Sequence, residues 1–98
     1  MNFLHLHYFK LVAKSENITK AAQEAYISTS GLSKVISRLE SEVGYPLFER
    51  YSNRLVLNSA GRIFYDFAEN VLSQQDECLA QIKTTMSAEE EIVNIAVP

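Results

Sequence analysis

The sequence predicts a mainly α-helical fold with three short helices, a two-stranded β-hairpin and one long C-terminal helix. Apolar residues recur three or four positions apart along most of the chain, which holds only three glycines and two prolines. Between Gly44 and Asn58, two short apolar runs flank a turn-rich segment, as in a hairpin. Ninety-eight residues suffice for one small hydrophobic core.

The first two helices begin at polar residues that can cap a helix N-terminus. Asn2 is predicted to cap a helix that ends near Ser15, and Thr19 is predicted to cap a shorter second helix. Small side chains permit close packing of the second helix: Ala21, Ala22 and Ala25.

The third helix is predicted between Ser28, an N-cap residue, and Gly44, where a helix end favours a left-handed residue. Its apolar stripe consists of Leu32, Val35, Ile36, Leu39 and Val43. The opposite stripe is small, hydroxylated and cationic, and consists of Ser30, Ser33, Lys34, Ser37, Arg38 and Ser41.

This polar stripe is the main candidate for a binding surface. Small side chains permit close approach of the backbone, hydroxyls bond phosphates and base edges, and cations displace counterions from a nucleic acid. The alternative is an ordinary solvated helix face. Serine is a mediocre helix former, however, so four serines on one face need another reason. The pattern therefore favours insertion into a DNA major groove.

The hairpin is predicted from the apolar runs 47–50 and 55–57, and Asn58 is expected to cap the long helix that follows. Gly61 in its first turn is either a close-packing position or a point where a phosphate approaches. The apolar stripe covers nearly thirty residues, or about 40 Å, which is too long for a small domain to cover. We therefore expect a partner helix on the residues Phe64, Phe67, Val71, Cys78, Leu79 and Ile82.

The chain is expected to end just inside a further domain. Three glutamates at 89–91 interrupt the apolar pattern, and the run 92–97 predicts a strand. A lone strand at a chain end has no pairing partner within the predicted domain.

Charge is distributed unevenly along the chain. The net charge is −3, but residues 1–62 carry +3, with eight Lys and Arg against five acids, and residues 63–98 carry −6. Because a field acts within about 8 Å at physiological salt, a basic first part can bind DNA beside an acidic helix.

Other functions have little support in the sequence. No apolar run reaches the ~18 residues that cross a bilayer, and the N-terminus lacks signal-peptide features, so we expect no membrane partner. The single cysteine, Cys78, is expected to be a packing residue, and it suits a reducing cytoplasm. His5 and His7 point about 200° apart on a helix, and no catalytic or phosphate-loop motif occurs. We therefore predict no metal, no cofactor and no enzymatic activity for this chain.

The chain resembles the N-terminal domain of LysR-type transcriptional regulators over residues 3–86. The matching positions, at the family's spacing, are Phe9, Val12, Ala21, Ala22, Ser28, Ser30, Ser33, Ile36, Leu39, Glu40, Gly44, Leu47, Phe48, Arg50, Ala60 and Gly61. The resemblance implies a winged helix-turn-helix DNA-binding domain at residues 1–58 and a dimerising linker helix at 59–88. It implies a hinge and first strand at 89–98, the start of an effector-binding domain of periplasmic-binding-protein type.

The resemblance also implies which residues contact DNA. At the third helix they are Ser28, Thr29, Ser30, Ser33, Lys34, Ser37 and Arg38, and in or beside the wing they are Arg50, Asn53 and Arg54. The two wing arginines could instead be ordinary surface cations. Thr29 stands where the family commonly has Gln, so a preferred DNA sequence cannot be transferred. Ala25 replaces a usual Leu, and we expect Tyr26 to fill the gap.

The predicted function is sequence-specific binding of double-stranded DNA by a homodimer, whose two copies contact the arms of an interrupted inverted repeat. The longer regulator could form a tetramer and would bind a small-molecule effector. One alternative is a winged-helix module that binds a protein partner instead of DNA, for which the third helix would expose apolar side chains. A weaker one is a dimerisation fragment with no DNA readout.

Overall fold

The computed structural model describes residues 1–96, and the side chains of residues 1–91. Its elements are α1 Phe3–Ser15, α2 Ile18–Ala25, α3 Thr29–Val43, β1 Phe48–Tyr51, β2 Arg54–Leu57 and α4 Ser59–Ala96. The two strands form one antiparallel sheet. The predicted fold class, three helices and a two-stranded wing followed by a long helix, is confirmed. Residues 1–58 form the head of the molecule.

Side-chain caps fix where the helices begin. The backbone N–H of His5 donates to Asn2 Oδ1 at 2.8 Å, which confirms the predicted cap of α1. For α2 the prediction was wrong by two residues, because Asn17 and not Thr19 accepts the first bond, from the N–H of Lys20 at 3.0 Å. Asn17 has the extended backbone that an N-cap needs.

The later helix ends follow the sequence closely. The N–H of Gly31 donates to Ser28 Oγ at 3.0 Å, and the N–H of Gly61 donates to Asn58 Oδ1 at 2.8 Å, so both predicted caps are confirmed. Gly44 ends α3 with a φ of +93°, in the left-handed region that favours glycine.

The core of the head lies where α1 meets α2, α3, the hairpin and the beginning of α4. Phe9 is fully buried at its centre, with ring centroids 5.3 Å from Phe48 and 4.9 Å from Phe64. The Phe64 ring stands edge-on to that of Phe9, a favoured aromatic arrangement. The first turns of α4 therefore belong to the same core as the head.

Tyr26 does not fill the gap beside Ala25, so that expectation was wrong. Tyr26 ends α2 with a φ of +58°, and its side chain is 95% exposed. Its backbone N–H bonds back to the carbonyls of Ala22 and Gln23 in α2.

Helix α4 continues through Ala96, so residues 89–96 are helical and differ from the predicted hinge and strand. An isolated strand lacks a pairing partner, whereas each added helical residue bonds to the preceding turn. Val97 and Pro98 lie outside the described residues. The 38 residues of α4 extend about 57 Å. Only its first part is covered by the head, and from Asp76 to Glu91 every side chain is exposed.

Candidate nucleic-acid interface

Helix α3 turns its polar face to solvent. Leu32, Ile36 and Leu39 are fully buried among α1, α2 and the rest of the core, and this packing fixes the rotation of α3 about its axis. The predicted contact residues then lie on the outside. Ser28, Thr29, Ser30, Lys34, Ser37 and Arg38 are exposed, and Ser33 is half-buried.

The first turn of α3 carries only small polar side chains on its exposed side. The Ser28 hydroxyl accepts the N–H of Gly31 and lies 3.4 Å from Ser30 Oγ, so it is used in capping the helix. Thr29 makes no side-chain hydrogen bond with the described residues. A backbone bordered by short side chains can approach base edges closely, and a helix N-terminus also favours phosphate.

The cations of the predicted interface differ in their partners. Lys34 forms no ion pair with any described residue. The three arginines are each paired with a carboxylate: Arg38 with Glu42 at 3.3 Å, Arg50 with Glu40 at 3.5 Å and Arg54 with Glu16 at 2.8 Å. Exposed pairs of this kind contribute little to stability. Lys34 is therefore the cation most readily available to a phosphate or a guanine edge.

Two of these ion pairs shift the pKa of one of their members. The hydrogen bond from the Met1 ammonium, 2.6 Å from Glu42 Oε2, lowers the pKa of Glu42, and Arg38 lowers it further. The hydrogen bond to Glu16 raises the pKa of the Arg54 guanidinium. Glu42 therefore faces these cations as a charged group at neutral pH.

The wing is attached to both α3 and α4 at Leu47. The N–H of Leu47 donates to Glu40 Oε2 at 2.7 Å, and its carbonyl accepts the N–H of Asn58 at 3.1 Å. A Cβ on Gly61 would overlap that carbonyl oxygen. Gly61 is therefore a close-packing position, which resolves the alternative left open by the sequence.

A polar groove of about 580 Å³ lies between the start of α2 and the wing. It is lined on one side by residues 17–19 and on the other by residues 50–55, which include the predicted residues Arg50, Asn53 and Arg54. Helix N-termini and arginines both favour phosphate. Asn17 and Thr19 were absent from the predicted interface, although their position at the beginning of a helix next to a basic wing could have indicated them.

The predicted contacts along α4 divide into two groups. Phe64 is only 8% exposed and packs against Phe9 in the head, so its ring is already covered within one copy. Phe67 is partly exposed and Val71 half-buried. The remaining predicted contacts are exposed, namely Cys78, Leu79 and Ile82.

Shallow apolar grooves accompany this surface where α4 passes the beginning of α1. One is lined by Phe3, Val71, Cys78 and Leu79, with two glutamines, and another by Met1, Phe3, Leu6 and Phe67.

Within the described residues there is no group of three or more potential metal ligands. No helix in the described part of the chain is long and apolar enough to cross a membrane.

The family of the chain follows from these features and from comparison with known proteins. Residues 3–62 match the model for the bacterial regulatory helix-turn-helix proteins of the lysR family. The chain belongs to this family, as its resemblance predicted. The transcriptional regulator BudR of Klebsiella aerogenes is 40% identical over 83 residues, which is 85% of this chain and 58% of BudR. The regulator BenM of Acinetobacter baylyi is 36% identical over 92 residues, 94% of this chain and 30% of BenM.

Solved structures of the family have the same fold. The DNA-binding domain of BenM in complex with catB site 1 DNA superposes with a TM-score of 0.85 at 35% identity, covering 91% of this chain and 96% of that one. The DNA-binding domain of CbnR in complex with DNA superposes with a TM-score of 0.83 at 27% identity, covering 88% and 99%. The chain thus aligns with nearly the whole of the BenM domain and of the CbnR domain. It covers less than two thirds of the full length of the relatives BudR and BenM.

Proposed function

We propose that this chain binds double-stranded DNA sequence-specifically as the DNA-binding part of a LysR-type transcriptional regulator. The observation that carries the proposal is the exposed face of α3, where hydroxyls and Lys34 surround a backbone with short side chains. Support comes from the BenM and CbnR domains, which share this fold and were crystallised with DNA.

The position of each residue along α3 would determine whether it contacts bases or phosphates. Its first turns enter the major groove, so Thr29, Ser30, Ser33 and Lys34 are proposed to face base edges. Ser37 and Arg38, further along the helix, are proposed to face phosphates. Hydroxyls discriminate weakly between bases, so Lys34 would provide the strongest single contact.

The wing and the start of α2 would hold the sugar-phosphate backbone. A phosphate in the groove between them could meet the first N–H groups of α2 together with Arg50, Asn53 or Arg54. Contacts of this kind set the position of the protein on the duplex and most of its affinity, whereas the base contacts of α3 set the preferred sequence.

The homodimer is proposed to form through α4. Leu79, Ile82 and Met86 are each at least half exposed, on a part of the helix where no described side chain is buried. A second α4 would remove this apolar surface from water. Two-fold symmetry of the protein then calls for two half-sites in an inverted repeat. A small-molecule effector, and a tetramer, are proposed for a longer regulator.

Selection of duplexes from a random-sequence pool, at two salt concentrations, tests this function. The expected result is an enriched half-site that occurs twice in inverted orientation, with affinity that falls steeply as salt rises. If the chain instead captured a polypeptide partner independently of salt and enriched no duplex, DNA binding would be excluded and a protein-interaction module favoured.

A further inference from the structure

Glu16 and Arg54 connect the end of α1 to the wing. Arg54 Nη2 donates to Glu16 Oε1 at 2.8 Å, across 38 residues of sequence. The N–H of Leu55 donates to the carbonyl of Glu16 at 3.1 Å. Glu16 ends α1 with a φ of +55°, and its own N–H caps that helix on Val12. The residue that caps the end of α1 thus holds two consecutive residues of the hairpin.

The Glu16 carboxylate differs from the other two that face interface arginines. Glu40 also accepts the N–H of Leu47, and Glu42 also binds the Met1 ammonium, so both have a second contact within the fold. Among the described residues, the Glu16 side chain has Arg54 as its single hydrogen-bond partner. Its contact is also the shortest of the three arginine pairs.

Arg54 keeps most of its hydrogen-bonding capacity in this pair. A guanidinium has five N–H donors in a planar fork, and Glu16 uses the Nη2 end. The side chain is 63% exposed and lines the groove between α2 and the wing, so Nε and Nη1 remain for another acceptor. Phosphate suits such a fork because it can bind two donors at once.

We propose that Glu16 is a positioning residue that determines DNA specificity by restraining Arg54, an inference that rests on the proposed function. Where α3 is in register with its preferred bases, a backbone phosphate enters the groove and Arg54 binds it without leaving Glu16. In loosely docked complexes the phosphates lie elsewhere, and Arg54 must leave Glu16 to follow them. Glu16 therefore weakens binding to unrelated DNA more than binding to the preferred site.

The test is Glu16→Gln, which removes the charge and keeps the side-chain length. Two duplexes are used: one enriched by the wild-type chain from a random pool, and one with the same bases in shuffled order. Binding to the shuffled duplex should strengthen about two- to fivefold, the range of an exposed ion pair, and its salt slope should steepen by up to about 1. Binding to the enriched duplex should change less, so the specificity ratio should fall.

A matched control separates restraint from general electrostatics. Glu49→Gln makes the same charge change in β1, and Glu49 pairs with no described cation. It should strengthen binding to both duplexes equally and leave the ratio unchanged. Thermal unfolding by circular dichroism verifies that each variant is folded, since the backbone cap of α1 does not involve the substituted carboxylate.

A double-mutant cycle completes the test. With Arg54 replaced by Gln, the further change Glu16→Gln should no longer alter the ratio, because there is no guanidinium left to release. An unchanged ratio in Glu16→Gln alone, or the same fall with and without Arg54, overturns the inference while leaving DNA binding intact. A wild-type chain that binds both duplexes equally overturns the proposed function, and this inference with it.

Discussion

Apolar side chains form a buried core in the head but are exposed in the far part of α4 (residues 76–91). In the head, α1, α2, α3 and the hairpin enclose a shared core around the fully buried Phe9. In the far part of α4 every side chain is exposed, including Leu79, Ile82 and Met86. The head and the first turns of α4 therefore share one core, whereas the far part of α4 leaves apolar surface in water that a partner would cover.

The boundary between the two regions lies inside α4 and not at its beginning. Phe64, Ala68 and Leu72 are buried in the core of the head, and beyond them no residue of α4 with a described side chain is buried. A single continuous helix therefore belongs to two structural units. Leu47 connects the wing to α3 and to the start of α4 through its two backbone hydrogen bonds.

The largest expected effect of a substitution is in the head. Phe9→Ala should lower the free energy of unfolding by about 3–5 kcal/mol, since a fully buried aromatic ring is replaced by a cavity. Urea denaturation followed by circular dichroism measures it. The matched control is Phe3→Ala, which removes a ring that is 49% exposed and should cost less than about 1 kcal/mol. Equal losses in the two variants would contradict a core centred on Phe9.

A smaller effect is expected where the two regions join. Gly61→Ala should lower the free energy of unfolding by about 1–3 kcal/mol, because the new methyl group meets the backbone carbonyl of Leu47 and not a flexible side chain. In an open helix the same change is stabilising. Ser73→Ala, on an exposed turn of α4, serves as control and should change stability by no more than about 0.5 kcal/mol. A stabilised Gly61→Ala variant would show that the junction is loosely packed.

Substitutions in the far part of α4 should weaken the proposed dimer and should not change the stability of the folded chain. The double variant Leu79→Gln and Ile82→Gln should raise the dissociation constant of the dimer at least about tenfold, as apolar burial is lost, with folding of one copy nearly unchanged. Glu77→Gln with Thr84→Gln is the control on the opposite side of the helix and should leave the constant unaltered. Sedimentation equilibrium gives both values. Equal dissociation constants for the wild type and the first variant would remove these residues from the interface.

Much of the head was predictable because its determinants are local. The caps at Asn2, Ser28 and Asn58, the glycine that ends α3, and the two faces of α3 follow from residue types a few positions apart. The hairpin was also predicted, with its strands displaced by one residue at some ends.

The features that sequence could not supply depend on distant residues. The contact of Arg54 with Glu16 spans 38 positions and exists because β2 lies against the end of α1. The groove between α2 and the wing arises in the same way, so Asn17 and Thr19 were absent from the predicted interface. The role of Gly61 was undecided until the carbonyl of Leu47 was located.

At residues 92–96 the apolar run is compatible with either a strand or a helix, and the structure has a helix there.

The most direct test of the account is the salt dependence of duplex binding by the wild type and by Lys34→Ala. Lys34 is exposed on the polar face of α3 and is paired with no described carboxylate, so its removal alters the proposed DNA contact without disturbing the core. Lys34→Ala should bind the enriched duplex more weakly, and its salt slope should be lower by about 1 if Lys34 meets a phosphate. Identical affinity and identical salt dependence in the two proteins would contradict the assignment of this face to DNA.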